Sequence, residues 1–134
     1  MAVVAELKEP LSSWTPELRE ELVRLDRNGR VGSRLVSATE RVRVWHIHLA
    51  PGERLPFHRH VLDYFWSVLT PGRARSHFGD GRVQEFRYVP GETQHLHYGA
   101  GESMIHDLEN IGDAELVFTT VEFLDSQNPP LDLS

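Results

Sequence analysis

Two histidines stand two residues apart behind a proline-glycine turn in the stretch PGERLPFHRHVLDY, residues 51–64. On a β-strand, side chains repeat their direction every two residues, so the imidazoles of His58 and His60 would share one face. A shared face is what chelation requires, and neutral imidazole is the commonest metal ligand in proteins. A strand face in water can also carry two histidines. The spacing alone therefore leaves a metal site and a plain polar strand as alternatives.

The amino-acid composition limits the other chemistry that this chain can perform. It contains no Cys, which excludes a thiolate nucleophile, a disulfide framework and cysteine-based metal sites. Its single Lys, Lys8, lies in the N-terminal segment and is a poor candidate for Schiff-base catalysis. What remains is His, Asp, Glu, Tyr or a metal ion. The eight His are therefore the residues to follow.

Length and charge indicate one soluble globular domain. The chain has 134 residues and a formal net charge of −6, without a cluster of Lys or Arg, so we expect neither a nucleic-acid nor an anionic-membrane partner. The start MAVVAELKEP lacks the basic-then-apolar order of a signal peptide, which predicts a cytoplasmic location. We divide the chain into an N-terminal extension with a helix (1–29), a barrel (30–124) and a tail (125–134).

The elements that position the histidines are predicted to be strands, preceded by one helix. Thr15 as N-cap and Pro16 at the first helical position begin the helix, and Asn28-Gly29 ends it. From Arg30 onward, short β-branched and aromatic runs alternate with turn signals such as Pro-Gly and Gly-Asp-Gly. Such evenly spaced strands are typical of a small antiparallel barrel or jelly roll.

Two motifs on these strands resemble those of the cupin superfamily. The segment 52–72 resembles the first cupin motif: a glycine, five residues, His-x-His, usually a Glu four positions later, and a further glycine. The segment HDLEN, residues 106–110, resembles the end of the second motif. More narrowly, the chain is similar to the small single-domain cupin 2 proteins of bacteria, which include a protein assigned to β-alanine degradation. The resemblance implies an all-β fold, a jelly-roll β-barrel with one short N-terminal helix.

The resemblance also implies a metal site, but with a changed ligand set. Tyr64 stands where the family usually has its Glu ligand, and the neighbouring Asp63 should point the other way. The remaining ligands are His58, His60 and His106, which would hold one divalent transition metal such as Fe, Zn or Ni; cupin-type thiol and diketone dioxygenases use three-His iron. Tyr64 would lie at the rim of the metal as the candidate catalytic residue. It would bind a ligand there, or serve as acid or base if its pKa is lowered.

The other histidines receive weaker assignments. We expect His46 and His48 on the solvent or interface side of their strand, and His77 in a solvated position beside two arginines. His95 and His97 share a face and are candidates for the pocket wall. Trp66 shares a face with Tyr64 and is expected to pack inside the barrel.

Two functions of different classes fit these residues. One is a metal-dependent cupin enzyme that acts on a small polar metabolite, as a dioxygenase, lyase or isomerase. The other is a non-catalytic cupin that binds a small molecule and has lost its metal. For either function we expect a homodimer, because edge strands and apolar strand faces favour pairing and many cupins dimerise. Residues 29–38 or the tail after Phe123 would contribute contacts.

Overall fold

The computed structural model describes residues 2–133, and these residues form ten strands, one α-helix and a short 3₁₀ turn at Leu11–Ser13. The helix is α1 (Pro16–Arg24). The strands are β1 (Ala2–Lys8), β2 (Arg34–Ala38), β3 (Val42–Leu49), β4 (Arg54–His60), β5 (Tyr64–Val68), β6 (Gly72–His77), β7 (Arg82–Tyr88), β8 (Thr93–Leu96), β9 (Met104–Asn110) and β10 (Leu116–Phe123).

The strands build two five-stranded antiparallel sheets. The first sheet has the order β1-β7-β6-β9-β4, and the second has the order β2-β3-β10-β5-β8. Apart from the sequential pairs β2-β3 and β6-β7, neighbours in each sheet come from distant parts of the sequence, as in a jelly roll. The predicted all-β jelly-roll barrel with one short helix is confirmed.

The inner faces of the two sheets enclose the main hydrophobic core. On β10, Leu116, Phe118, Thr120 and Glu122 are all buried, so the inner face changes from apolar to polar along that strand. The apolar end is held together by the burial of aliphatic and aromatic surface. The polar end leaves room for a site. The core consists of Ile47, Leu49, Leu55, Val68, Ala74, Phe78, Phe86, Tyr88, Leu108, Leu116 and Phe118.

The helix α1 covers the outer face of the first sheet. Thr15 is its N-cap, and the Thr15 hydroxyl accepts a hydrogen bond of 3.2 Å from the backbone N–H of Leu18, as the sequence predicts. A second, smaller core lies between this helix and the sheet, centred on Trp14, Phe57 and Ile105. The helix therefore stabilises the strands β4 and β9 from outside.

The segments before and after residues 30–124 also pack on the barrel. β1 pairs with β7 and becomes an edge of the first sheet. In the tail, Leu131 is buried and the Asn128 amide donates hydrogen bonds to the carbonyls of Val61 and Gly99. Among residues 2–133, no helix combines the length and apolar character needed to cross a bilayer.

Candidate metal centre

A β-bulge in β4 brings the two histidines of the first motif to the inside of the barrel. Leu55 pairs with Leu108 and His58 pairs with His106, so three steps on β4 match two steps on β9. Leu55 lines the interior, whereas Phe57 packs under the helix on the outside. After the bulge, His58 and His60 both point inward, and both are 2% exposed.

The structure brings His58, His60 and His106 together as a cluster. One nitrogen atom of each ring lies within 4.8 Å of the others, and Nε2 of His60 and Nε2 of His106 are 3.3 Å apart. Two nitrogens bound at about 2.05 Å to one tetrahedral zinc ion would be separated by about 3.3 Å. The separation of these two rings therefore fits a shared metal ion, and so does the donor chemistry of three imidazoles.

The electrostatic state of the cluster also suits a metal. Burial lowers the pKa of His58 to about 4 and that of His106 to about 3, and it holds the pKa of His60 well below its usual value. All three rings are thus neutral near pH 7, which is the form that binds metals. The Nδ1 atom of His58 is 2.8 Å from the carbonyl oxygen of Pro56 and donates to it, which leaves the Nε2 lone pair free for the site.

Tyr64 lies beside the cluster. Its ring stacks on His60 with 4.0 Å between centroids and an angle of 9°, and its hydroxyl is hydrogen-bonded to Tyr98. Burial raises the pKa of Tyr64 well above its usual value. An acid or base role required a lowered pKa, and the structure shows the opposite shift. The neutral phenol is suited to donating a hydrogen bond.

Asp63 lies on the other side of the chain from Tyr64, as alternation predicts. Its carboxylate accepts a hydrogen bond of 2.9 Å from the backbone N–H of Tyr98 and is 2.9 Å from Nδ1 of His97. These contacts fix the turn after β8 and keep Asp63 away from the three histidines.

The assignment of His95 and His97 to the pocket wall is wrong. On β8, Gln94 pairs with Trp66 and Leu96 pairs with Tyr64, so the even-numbered residues take the inner face. His95 and His97 are therefore exposed on the outer side. Trp66 lines the cavity, as expected. Gln94, Leu96 and Tyr98 line it as well, and the same alternation read in the other register would have found them.

His77 also differs from its predicted place. It was expected in solvent, but its side chain is only 18% exposed, because Trp14 packs edge-on against it and Asp107 accepts a hydrogen bond from it. His46 and His48 lie on the outer side of β3, half-buried and exposed respectively, as expected from the buried Trp45, Ile47 and Leu49.

A buried ionic network supports the cluster from behind. Asp107, the residue after His106, is fully buried, and Arg54 donates a hydrogen bond of 2.6 Å to it. Arg54 also donates two hydrogen bonds to Glu21 of α1. Sequence analysis missed this network, because Arg54, Asp107 and Glu21 meet only through the pairing of β4 with β9 and the placement of the helix.

The cluster opens into a cavity of about 320 Å³ inside the barrel. Most of its wall is aromatic or aliphatic, with a small number of polar groups, as is usual for small-molecule sites. Among the described residues, no Asp or Glu lines it. Its polar and charged lining residues are His58, His60, Ser76, Arg82, Gln84, Gln94, His106 and Thr120, together with the tyrosines Tyr64, Tyr88 and Tyr98.

Comparison with known proteins finds relatives through structure. No family model matches the chain, and no curated protein matches it. A cupin domain from Bordetella pertussis Tohama I is 27% identical, with a TM-score of 0.58 over 67% of this chain and 88% of that chain. A conserved protein with a double-stranded β-helix domain from Klebsiella pneumoniae subsp. pneumoniae MGH 78578 is 23% identical, with a TM-score of 0.55 over 73% of this chain and 81% of that chain. A cupin superfamily protein from Desulfitobacterium hafniense DCB-2 is 21% identical, with a TM-score of 0.51 over 74% of this chain and 82% of that chain.

Proposed function

Because this chain belongs to the cupin superfamily, we propose that it binds one divalent transition metal and acts on a small polar metabolite at that metal. The ligands in this proposal are His58, His60 and His106. The observation that carries it is the buried cluster of three neutral imidazoles, with 3.3 Å between two of the Nε2 atoms. A polar cluster of this kind inside a barrel is unfavourable without a partner, which a metal ion would supply.

The residues around the cluster hold and orient a ligand. A bound divalent metal would supply Lewis acidity, or activation of oxygen. Pro56 fixes the tautomer of His58, and the aromatic wall of the cavity excludes water. Tyr64 and Tyr98 present hydroxyl groups as hydrogen-bond donors or acceptors. Dioxygenase, lyase and isomerase reactions are all compatible with these groups.

A specific observation favours the second candidate, a non-catalytic cupin that binds a small molecule. No carboxylate lines the cavity within residues 2–133, and burial raises the pKa of Tyr64. Apart from the three histidines, the wall thus offers no general base near neutral pH. If those histidines bind no metal, the cavity can bind a ligand but has little means of transforming it.

The test is elemental analysis of the protein as purified. We expect close to one transition metal per chain, and a loss of most of it in the double variant His58→Ala, His106→Ala. The double variant His46→Ala, His48→Ala is the matched control, since it removes a His-x-His pair from the outer face, and it should keep its metal. Full metal content in the first variant, or none in the parent protein, would overturn the metal site.

A further inference from the structure

The cavity wall has an asymmetric charge. Among its described lining residues, Arg82 is the only Arg or Lys, and no Asp or Glu lies beside it in the wall. Tyr64 stands where an acidic ligand was expected, so no carboxylate accompanies the three histidines. A divalent ion on three imidazoles would therefore keep its full double charge. Asp80 pairs with Nε of Arg82 but is exposed and does not line the cavity, so the charges that face the cavity would both be positive, and this favours an anionic ligand.

Arg82 is held in place at the wall of the cavity. Its Nε donates a hydrogen bond of 2.8 Å to Asp80, and its guanidinium carbon lies 4.4 Å from the centre of the Phe78 ring. Phe78 forms a β-bridge with His106, and its N–H donates to the carbonyl of Arg82. Arg82, Phe78 and His106 therefore lie in one row across neighbouring strands. The Cα atoms of Arg82 and His106 are separated by two strand spacings, about 10 Å.

Polar groups without partners accompany Arg82. Gln84 lies two residues further along β7 on the same face, and both residues line the cavity. Within residues 2–133, the side-chain amides of Gln84 and Gln94 have no hydrogen-bond partner, and neither have the two terminal nitrogens of Arg82. The Arg82 side chain is 36% exposed, and the amides of Gln84 and Gln94 are not fully buried, so these groups are accessible to a ligand that enters the cavity.

We infer that Arg82 and Gln84 form a carboxylate-binding subsite, and that the ligand is a small carboxylic acid with a second polar group that reaches the histidine cluster. Two terminal guanidinium nitrogens and an amide suit a carboxylate, which accepts several hydrogen bonds in one plane. The location of the second polar group rests on the proposed metal function. The carboxylate subsite itself depends only on Arg82 and Gln84.

The experiment is calorimetric titration of the purified protein with acetate, malonate, succinate and glutarate. Succinamide serves as the neutral analogue of succinate, and inorganic phosphate serves as an anion of different shape. We expect at least one of the four acids to bind, and Arg82→Gln to weaken that binding at least tenfold. Gln84→Leu should weaken it by a smaller factor. Arg87→Gln, on the exposed side of the same strand, is the matched control and should bind as the parent does.

Three results would overturn the inference: no binding by any of the four acids, unchanged binding in Arg82→Gln, or equal binding of succinamide or phosphate. Metal content measured on the same preparations separates this inference from the proposed function. A metal-free protein that binds an acid through Arg82 keeps the subsite and removes the metal. A metal-loaded protein whose acid binding is unchanged in Arg82→Gln keeps the metal site and removes the subsite.

Discussion

Tyr64 takes the position of an acidic ligand, and its surroundings suit a neutral hydrogen-bonding group. Tyr64→Phe should leave the metal content intact and weaken ligand binding roughly five- to tenfold, because a buried hydrogen bond contributes about 1 kcal/mol. Elemental analysis and titration with a bound acid measure the two effects. The hydroxyl groups of Tyr64 and Tyr98 are hydrogen-bonded to each other, and Tyr98→Phe also removes that bond. The double variant should therefore weaken ligand binding little more than either single variant does. Loss of metal in Tyr64→Phe would mean that the phenol is a ligand.

Glu122 makes the stability of the folded protein depend on pH, and the sign of this dependence follows from its pKa. It is buried in the barrel, and burial raises the pKa of its carboxyl from 4.5 to about 7, against the hydrogen bond from Trp45 Nε1 at 2.7 Å and the charge of Arg43. Above pH 7 the folded state must hold a buried carboxylate. As the pH falls from 7 towards 4.5, the folded state binds a proton that the unfolded state does not yet bind, so this group's destabilisation disappears.

Glu122→Gln should therefore stabilise the protein at pH 8, by at most about 3 kcal/mol, and have little effect near pH 4.5. The glutamine oxygen still accepts the hydrogen bond from Trp45, which keeps the two side chains comparable. Denaturant unfolding at pH 8, 6.5 and 5 measures the difference. A difference that is the same at all three pH values would show that the carboxyl does not titrate in this range.

Single residues also show where sequence reasoning stops. The spacing of His58 and His60, together with the resemblance of HDLEN to the second cupin motif, was enough to select the three residues that meet in the barrel. Alternation could not say which face of β8 is inside, and the exposed His95 and His97 were selected instead of Gln94 and Tyr98. Only the pairing of β8 with β5 determines that choice, and pairing between strands distant in sequence is not visible in a local pattern.

At the scale of elements, the helix and most strands were predictable, because each has a local signature. Thr15 and Pro16 mark the start of α1, and turn residues separate the strands. The bulge in β4 has no such signature beyond Pro56, a residue that cannot donate a ladder hydrogen bond and is common at bulges. The cover that Trp14, just before α1, places over His77 was missed for a related reason, since the docking of this segment depends on tertiary contacts.

The docking of α1 depends on one partly buried acidic residue, Glu21. Arg54 donates two hydrogen bonds to Glu21, whose carboxylate also accepts from the backbone N–H of Phe57. The Arg54 hydrogen bond contributes most to lowering the pKa of Glu21. Glu21→Gln should lower the free energy of unfolding by about 1–3 kcal/mol, because it leaves Arg54 partly unpaired in a half-buried place. Denaturant unfolding measures this loss.

Glu20→Gln is the matched control, since Glu20 is exposed on the same helix, and it should change stability by less than about 0.5 kcal/mol. If Glu21→Gln and Glu20→Gln have the same free energy of unfolding, Arg54 does not anchor the helix. Metal content should fall only slightly in Glu21→Gln, because Asp107 still holds Arg54 behind the histidine cluster.

At the scale of the whole molecule, the two outer faces of the barrel differ. The outer face of the first sheet lies under α1 and the second core. The outer face of the second sheet has no such cover among the described residues, although it carries a row of apolar side chains. Val121 of β10 pairs with Val44 of β3 on one side and with Phe65 of β5 on the other, and all three are only half-buried. The exposed Phe123 extends this apolar surface.

This uncovered face is the physical reason to expect a homodimer. A second copy of the chain would cover Val44, Phe65 and Val121, and a two-fold pair needs no further partner. β2 lies at the edge of the same sheet, which would let residues 29–38 contribute, whereas Asn128 and Leu131 attach the tail to its own barrel. Light scattering at micromolar concentration should give about twice the chain mass of 15.4 kDa.

Val121→Lys should convert the dimer to a monomer, because a charge in the middle of the face must be desolvated on pairing. Val23→Lys is the matched control, since Val23 is 77% exposed on α1, away from this face, and it should leave the dimer intact. A far-ultraviolet circular dichroism spectrum of each variant shows whether it still folds. A folded parent chain with the mass of a monomer would contradict the dimer, and a folded Val121→Lys dimer would place its interface elsewhere.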